Sequence, residues 1–397
     1  MNDLNTSIQQ KSDISVKSIG IFLPVGYRGG SLNSAKNIAK MLYHGSRSAN
    51  QPVDVIFSCV ADTYNIAEEF ADLLALGIPV RETRWDDGYS SYAIPIDGKM
   101  NFTDCDFWLL ISDRLLQPLA PIKPYGMVVF DYIQRYVPEI LVAGFNDISF
   151  LQTARGAAFV LTTTPQTRQD AIQYAGVAPQ RVHLAPMEFS PVFAACTTVP
   201  AQQNYFIWTS NTAPHKNHLS AIEALELYYS ELHGKLDVFM TGVNTDLFDP
   251  EQQPTENVTP YMHRVREKLA QTQLAKQRLH FKGNQSLADY AATLSAAQFL
   301  WHPTKIDNGT FSVIEAAYCN VPSLSSHYPQ MQFINERFSL NLSFCDPSQP
   351  KDMAVQLKKM EEEHVSKRQM LPAKAALEKY SVAQLAPEFW HLFRGLV

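Results

Sequence analysis

The 397-residue chain has little of what marks a membrane, secreted or nucleic-acid-binding protein. It has no run of eighteen apolar residues, so no segment reads as a membrane span. The opening MNDLNTSIQQKSDISVK has no apolar core of the kind a secretory signal needs. Cysteine is scarce. Cys59, Cys105, Cys196, Cys319 and Cys345 are odd in number, widely spaced and free of any Cys-x-x-Cys, which argues against a disulfide framework or a zinc site and makes a reducing cytoplasm the expected compartment. Positive charge is also short, 33 Lys and Arg against 39 Asp and Glu, for a net charge of −6. The field of the whole molecule therefore disfavours nucleic acid, while leaving room for a local basic pocket around an anionic ligand. What is present, 46% hydrophobic and 11% aromatic residues, excludes a disordered chain and suffices for two cores.

Residues 1–15 are polar and aperiodic and read as a disordered tail. After it, the apolar run VKSIGIFLP meets the glycine-bearing turn VGYRGGS and then a helical pattern carrying Leu32, Ala35, Ile38, Ala39 and Leu42 on one face. The same order recurs with VDVIFSC before a helix expected over 63–76, then with FWLLIS, GMVVFD, and AAFVLT ahead of TPQTRQDAIQYAG. Alternating strands and helices of this size predict a parallel sheet covered on both faces. Residues 191–204 carry little pattern and read as a linker between a first domain over 16–190 and a second over 205–375. The second domain repeats the alternation, with strands YFIWTS, LDVFMTG, RLHFKG, AQFLWHP and VPSLSS, and helices near 217–232, 260–276, 287–297 and 312–319. The expected class is α/β with two Rossmann-like halves.

The segment over 302–326, HPTKIDNGTFSVIEAAYCNVPSLSS, carries the most chemistry. After a strand, Asp307 opens a turn, Gly309, Thr310, Phe311 and Ser312 lead into a helix, and Glu315 lies one turn inside it. The N–H groups and positive dipole end of a helix start suit a phosphate, and two carboxylates would flank it. The plainer alternative makes Asp307 a turn residue, Thr310 or Ser312 a cap, and Glu315 first-turn charge compensation. Upstream, TSNTAPHKN places Lys216 in a turn after a strand, where a lysine is either solvated or a partner for an anion. Gly29 and Gly30 permit close approach of backbone to a ligand. His215, His218 and His302 fall near the same segments, yet none joins a carboxylate at metal-binding spacing, so no metal is expected.

These motifs, in this order, resemble the acidic-x7-Glu signature, the Pro-x-Lys-Asn turn and the glycine-rich loop YRGGSLNSAKNIAKML of retaining GT-B glycosyltransferases, in particular glycosyltransferase family 4. The resemblance extends over roughly residues 17–360. It implies a GT-B fold, two Rossmann-like domains facing across a cleft, with a nucleotide-sugar donor on the second and the acceptor on the first. It makes Lys216, Asp307 and Glu315 catalytic: Lys216 beside the diphosphate, Glu315 accepting from the ribose hydroxyls, Asp307 beside the donor sugar. Asn211, Gly309, Thr310, Phe311, Ser312, Gly29 and Gly30 become donor-binding residues. The segment VVFDYIQRYVPE resembles one that usually reads His-Asp, with Phe130 in the histidine's place, and offers Asp131, Tyr132 and Arg135 toward an acceptor. A polar loop with a core aromatic is the equal alternative there. No cofactor beyond the nucleotide sugar is implied.

Three departures stand out. Asp307 replaces the usual Glu, Asn308 and Thr310 interrupt the usual Glu-Gly-Phe-Gly, and Asn211 stands where many members carry an arginine. The segment DNGTFSVIEAAYCNVPSLSSHYPQM is most similar to bacterial enzymes that build surface polysaccharide from GDP-mannose, implying an α-mannosyltransferase acting on a glycan or lipid-linked oligosaccharide. A basic stripe, Lys36, Lys40, His44 and Arg47, is either a solvated helix face or a peripheral contact with anionic lipid at the inner membrane face. The amphipathic C-terminus over 376–397 would cross back to the first domain. Two other readings stay open: a GT-B sugar-nucleotide epimerase, and a degenerate GT-B scaffold that binds without turnover.

Overall fold

A computed structural model describes residues 16–86, 91–112, 114–140, 147–189, 203–253, 258–308 and 311–397. The tail over 1–15 and nearly all of the expected linker lie outside these residues. The chain divides into two compact units, one made of Met1–Val128, Asn146–Leu161 and Ala386–Val397, the other of Val129–Phe145 and Thr162–Leu385.

In the first unit, β1 (Ser18–Phe22), β2 (Asp54–Val60), β3 (Val80–Asp86), β4 (Ile94–Ile96), β5 (Phe107–Ile111), β6 (Tyr125–Val128) and β7 (Val160–Thr162) lie in the order β4-β3-β2-β1-β5-β6-β7. The β3–β4 pair is antiparallel and the ladders from β3 through β7 are parallel, so β4 is an edge addition to a Rossmann order. Every residue of β5 (FWLLI) is buried, as a central strand covered on both faces demands. Helix α1 (Gly30–Ser48) buries the predicted Leu32, Ala35, Ile38, Ala39 and Leu42. The helix expected over 63–76 is instead two short ones, α2 (Ile66–Glu69) and α3 (Ala71–Ala75). Phe70 between them leaves helical geometry to sit fully buried against Phe57 and Tyr64. Helix α4 (Asp147–Gly156) completes this part of the chain.

The second unit contains α5 (Pro165–Gln173), β8 (Val182–Leu184) and a six-stranded sheet. Its strands β9 (Tyr205–Thr209), β10 (Asp237–Thr241), β11 (Leu279–Gly283), β12 (Leu300–His302), β13 (Ser323–Ser326) and β14 (Ser343–Cys345) run in the order β11-β10-β9-β12-β13-β14, all neighbours parallel. This is the doubly wound order, in which ligands bind outside the carboxyl ends of the strands. Helices α6 (His218–Ser230), α7 (Pro260–Gln271), α8 (Gln273–Arg278), α9 (Leu287–Ala296), α10 (Ser312–Tyr318), α11 (Pro329–Phe338), α12 (Pro350–Gln369) and α13 (Lys374–Glu378) connect them. The single helix expected over 260–276 breaks at Thr272, whose hydroxyl donates to the Leu269 carbonyl at 3.0 Å and so competes with the next helical bond.

Helix α14 (Val382–Arg394) carries the chain from the second unit's residues into the first's. Within the first unit, Phe393 is fully buried and packs edge-on against Phe107 and Phe159, with ring centroids 5.7 and 5.8 Å away. Gly45 of α1 lets this segment approach: a Cβ there would overlap the Ala386 carbonyl oxygen and come within 2.6 Å of Trp390 Cβ. No helix among the described residues is long and apolar enough to cross a membrane.

Candidate donor site

Lys216 and Asp307 are 91 residues apart in sequence and form an ion pair in the second unit. The turn after β9 brings Lys216 there. Asn211 Oδ1 accepts the Ala213 N–H at 3.0 Å, Pro214–Lys216 make a single 3-10 turn, and Asn217 follows in the left-handed region at φ 64°. Asn217 then staples the turn to the sheet, its Nδ2 donating to the Pro303 carbonyl at 3.1 Å and the Pro347 carbonyl at 2.8 Å. The Lys305 N–H closes the other side by donating to the His215 carbonyl at 2.8 Å. The loops leaving β9 and β12 are thus bonded to each other, and both point from carboxyl strand ends.

Asp307 is held from two directions. One carboxylate oxygen accepts from Lys216, the other accepts the Asn308 N–H at 2.8 Å. Burial would push this carboxyl up, but the Lys216 ammonium more than reverses it and keeps Asp307 ionised well below the usual carboxylate range. Asn308 itself is buried. Its Oδ1 accepts from Thr164 Oγ1 at 2.9 Å and Thr167 Oγ1 at 2.7 Å, and its Nδ2 donates to Thr163 Oγ1 at 3.3 Å. Thr164 is also the cap of α5, accepting the Thr167 N–H at 3.2 Å, so the acidic turn is bonded to a helix start.

Glu315, in the first turn of α10, is half-buried and accepts from the Tyr290 hydroxyl of α9 at 3.1 Å. Burial raises its carboxyl to about 7, against which the tyrosine bond is the smaller influence. The two acidic residues of one motif thus differ sharply in acidity: Asp307 stays ionised, while Glu315 shares its proton near neutrality. Phe311 precedes α10 and Ser312 opens it, buried. Gly309 and Thr310 lie outside the described residues.

Two histidines line the same strand ends without being available as bases. His302 places Nδ1 3.1 Å from Ser325 Oγ and Nε2 3.0 Å from Thr304 Oγ1. His218 places Nε2 2.9 Å from Ser210 Oγ and Nδ1 3.0 Å from the Tyr261 hydroxyl. Burial, reinforced by neighbouring cationic groups, lowers each to about 3, so both are neutral. No grouping of three potential metal ligands occurs among the described residues.

The remaining sequence-derived candidates have structural partners. Asp131 Oδ1 accepts the Ile133 N–H at 3.2 Å, Tyr132 is buried, and Arg135 donates to Asp170 at 2.5 Å. Asp170 also accepts from the Tyr136 hydroxyl at 2.7 Å. In the first unit, Gly29 caps α1 at φ 59° and Gly30 is its first residue. Lys36 and Lys40 of the basic stripe share the Asp72 carboxylate at 2.8 and 2.5 Å.

Residues 195–377 match the family described as glycosyl transferases group 1. The matched residues lie within the second unit. Solved structures extend the likeness to the whole chain. HepE from Anabaena, in complex with UDP-glucose, superposes with a TM-score of 0.67 at 14% identity, covering 95% of this chain and 99% of that one. The sucrose-phosphate synthase of Thermosynechococcus elongatus gives 0.64 at 13%, covering 96% and 99%. The lipopolysaccharide outer core galactosyltransferase WaaB gives 0.59 at 12%, with the same coverage. No curated protein matches the chain in sequence. The fold is therefore GT-B, as the motif order implies, and the group 1 match supports glycosyl transfer from nucleotide sugars. Sequence reasoning singled out Lys216, Asp307 and Glu315 but missed the roles of Asn217, Asn308 and Tyr290. Only Thr164 had a readable signal, the Thr-Pro start of a helix.

Proposed function

We propose that the chain is a retaining glycosyltransferase that moves a hexose, mannose from GDP-mannose in the first instance, to a hydroxyl of a glycan or lipid-linked oligosaccharide in surface polysaccharide synthesis. The proposal takes the cytoplasm, at the inner membrane face, as the place of reaction. What supports the reading is the ion pair of Lys216 and Asp307 at the carboxyl ends of β9 and β12, with Glu315 in the helix that follows, all in the span that matches the group 1 family. In the reaction, the bond between the anomeric carbon and the diphosphate oxygen breaks and the acceptor oxygen bonds to that carbon. The acceptor proton passes to the departing diphosphate. Lys216 offsets the charge that builds on the leaving oxygen, the part a divalent cation plays elsewhere, so no metal is needed. Glu315 takes the ribose hydroxyls, and Asp307 faces the sugar. HepE, of the same fold, was solved with UDP-glucose, which supports a nucleotide-sugar donor for this fold.

The test is a thermal-shift screen of GDP, UDP, ADP and their sugar conjugates, followed by transfer assays with the conjugate that stabilises best. Lys216→Ala and Glu315→Ala should each abolish most transfer while keeping a cooperative melt. Undiminished turnover in either purified variant would overturn the reading. An epimerised sugar nucleotide formed without acceptor would favour the epimerase alternative, and binding without turnover the scaffold.

A further inference from the structure

Three neighbouring strands of the second sheet, β9, β12 and β13, run parallel and side by side. The loop leaving β9 carries Lys216 and the loop leaving β12 carries Asp307. The loop leaving β13 carries Tyr328, two residues after the strand and immediately before α11. Its ring is buried in the core that also holds Ile306, Val313 and Ile314, and it lies against His302 with centroids 6.5 Å apart. The residue is 5% exposed, and its hydroxyl is fully buried with no hydrogen-bond partner among the described residues. A hydroxyl left so destabilises the fold, because it has lost water without gaining a partner. His302 cannot relieve it, since both ring nitrogens are already taken by Ser325 and Thr304. The charged group that acts on the phenol is Asp307, and burial with that carboxylate holds the phenol proton well above the ordinary tyrosine range. Tyr328 is therefore a permanent donor beside a permanent acceptor.

We infer that Tyr328 is a substrate-binding residue: its hydroxyl and the Asp307 carboxylate together clamp one hydroxyl of the transferred sugar. The inference rests on the reading of this site as a nucleotide-sugar site, and assigns the sugar's place within it. A phosphate oxygen next to Asp307 would meet like charge. A sugar hydroxyl fits both groups at once, donating to the carboxylate and accepting from the phenol. The diphosphate then lies toward Lys216, and discrimination among hexoses falls to the strand edge between β12 and β13.

Tyr328→Phe keeps the ring and removes only the hydroxyl. Wild type and variant are titrated with GDP and GDP-mannose, and with UDP and UDP-glucose, by thermal shift or calorimetry. The expected variant melts at or above the wild-type temperature without ligand. It binds the free diphosphate as the wild type does and the matching sugar nucleotide about tenfold more weakly, the size of one lost hydrogen bond. An unchanged sugar-nucleotide affinity, or an equal loss for diphosphate and sugar nucleotide, would overturn the assignment while leaving the donor site standing. If neither diphosphates nor sugar nucleotides stabilise the wild type, the donor-site reading itself falls, and Tyr328 with it.

Discussion

Glu315 is the residue whose protonation the surroundings leave undecided near neutral pH. With a carboxyl at about 7 in the folded protein and an ordinary value when unfolded, the folded state keeps a proton that the unfolded state has lost between about pH 4.5 and 7. Stability from this group therefore falls as pH rises through that window and is level above it. Glu315→Gln, neutral at every pH, should match wild type at pH 4.5 and exceed it by up to about 3 kcal/mol at pH 8, read by urea denaturation at both values. The same variant should bind nucleoside diphosphate poorly, because an amide offers the ribose one acceptor where a carboxylate offers two. Stability and binding would then move in opposite directions at one side chain.

At the scale of elements, the acidic turn is anchored through Asn308 to the start of α5. Asn308→Ala strips the acceptor from two buried hydroxyls that can still bond each other at 2.9 Å, so a loss of about 1–3 kcal/mol is expected in chemical denaturation. Thr164→Val with Thr167→Val should lose less when added to it than on the wild type, as members of one network do. The packing of α1 against residues 386–390 gives a sharper case. Gly45→Ala places a methyl group on a backbone carbonyl, which cannot swing away as a side chain can. It should lower stability by about 1–3 kcal/mol, visible as a fall in Tm. The strand and helix order of both sheets was legible because strand runs such as FWLLI and the face of α1 obey short periods. The breaks at Phe70 and Thr272 were not, since each is made by a packing or hydrogen-bonding choice that overrides helix propensity. The site was half legible for the same reason. Lys216, Asp307 and Glu315 sit in motifs, whereas Asn308 acts on threonines more than 140 residues away and Tyr290 reaches Glu315 from another helix. Nothing in a linear spacing marks such partners.

Over the whole molecule, two buried neutral histidines set the response to acid. His218 and His302, lowered to about 3, take no proton when folded but do so when unfolded below about pH 6.5. Stability from them is lost as pH falls, opposite in sign to Glu315, and two histidines outweigh one glutamate. A net loss of about 1–2 kcal/mol per pH unit is expected from pH 6 to 5, measured by urea midpoints. His302→Gln should flatten that slope. The last turns of the chain matter in another way. Phe393 packs edge-on against the stacked pair Phe107 and Phe159, so the unit that contains β1 to β6 lacks a core ring until α14, which follows the second unit, has been made. During synthesis, domains usually fold in the order they emerge. Here the second unit is translated before the first can close, so the earlier part of the chain waits with apolar surface exposed, and synthesis of α14 becomes the step that completes its core.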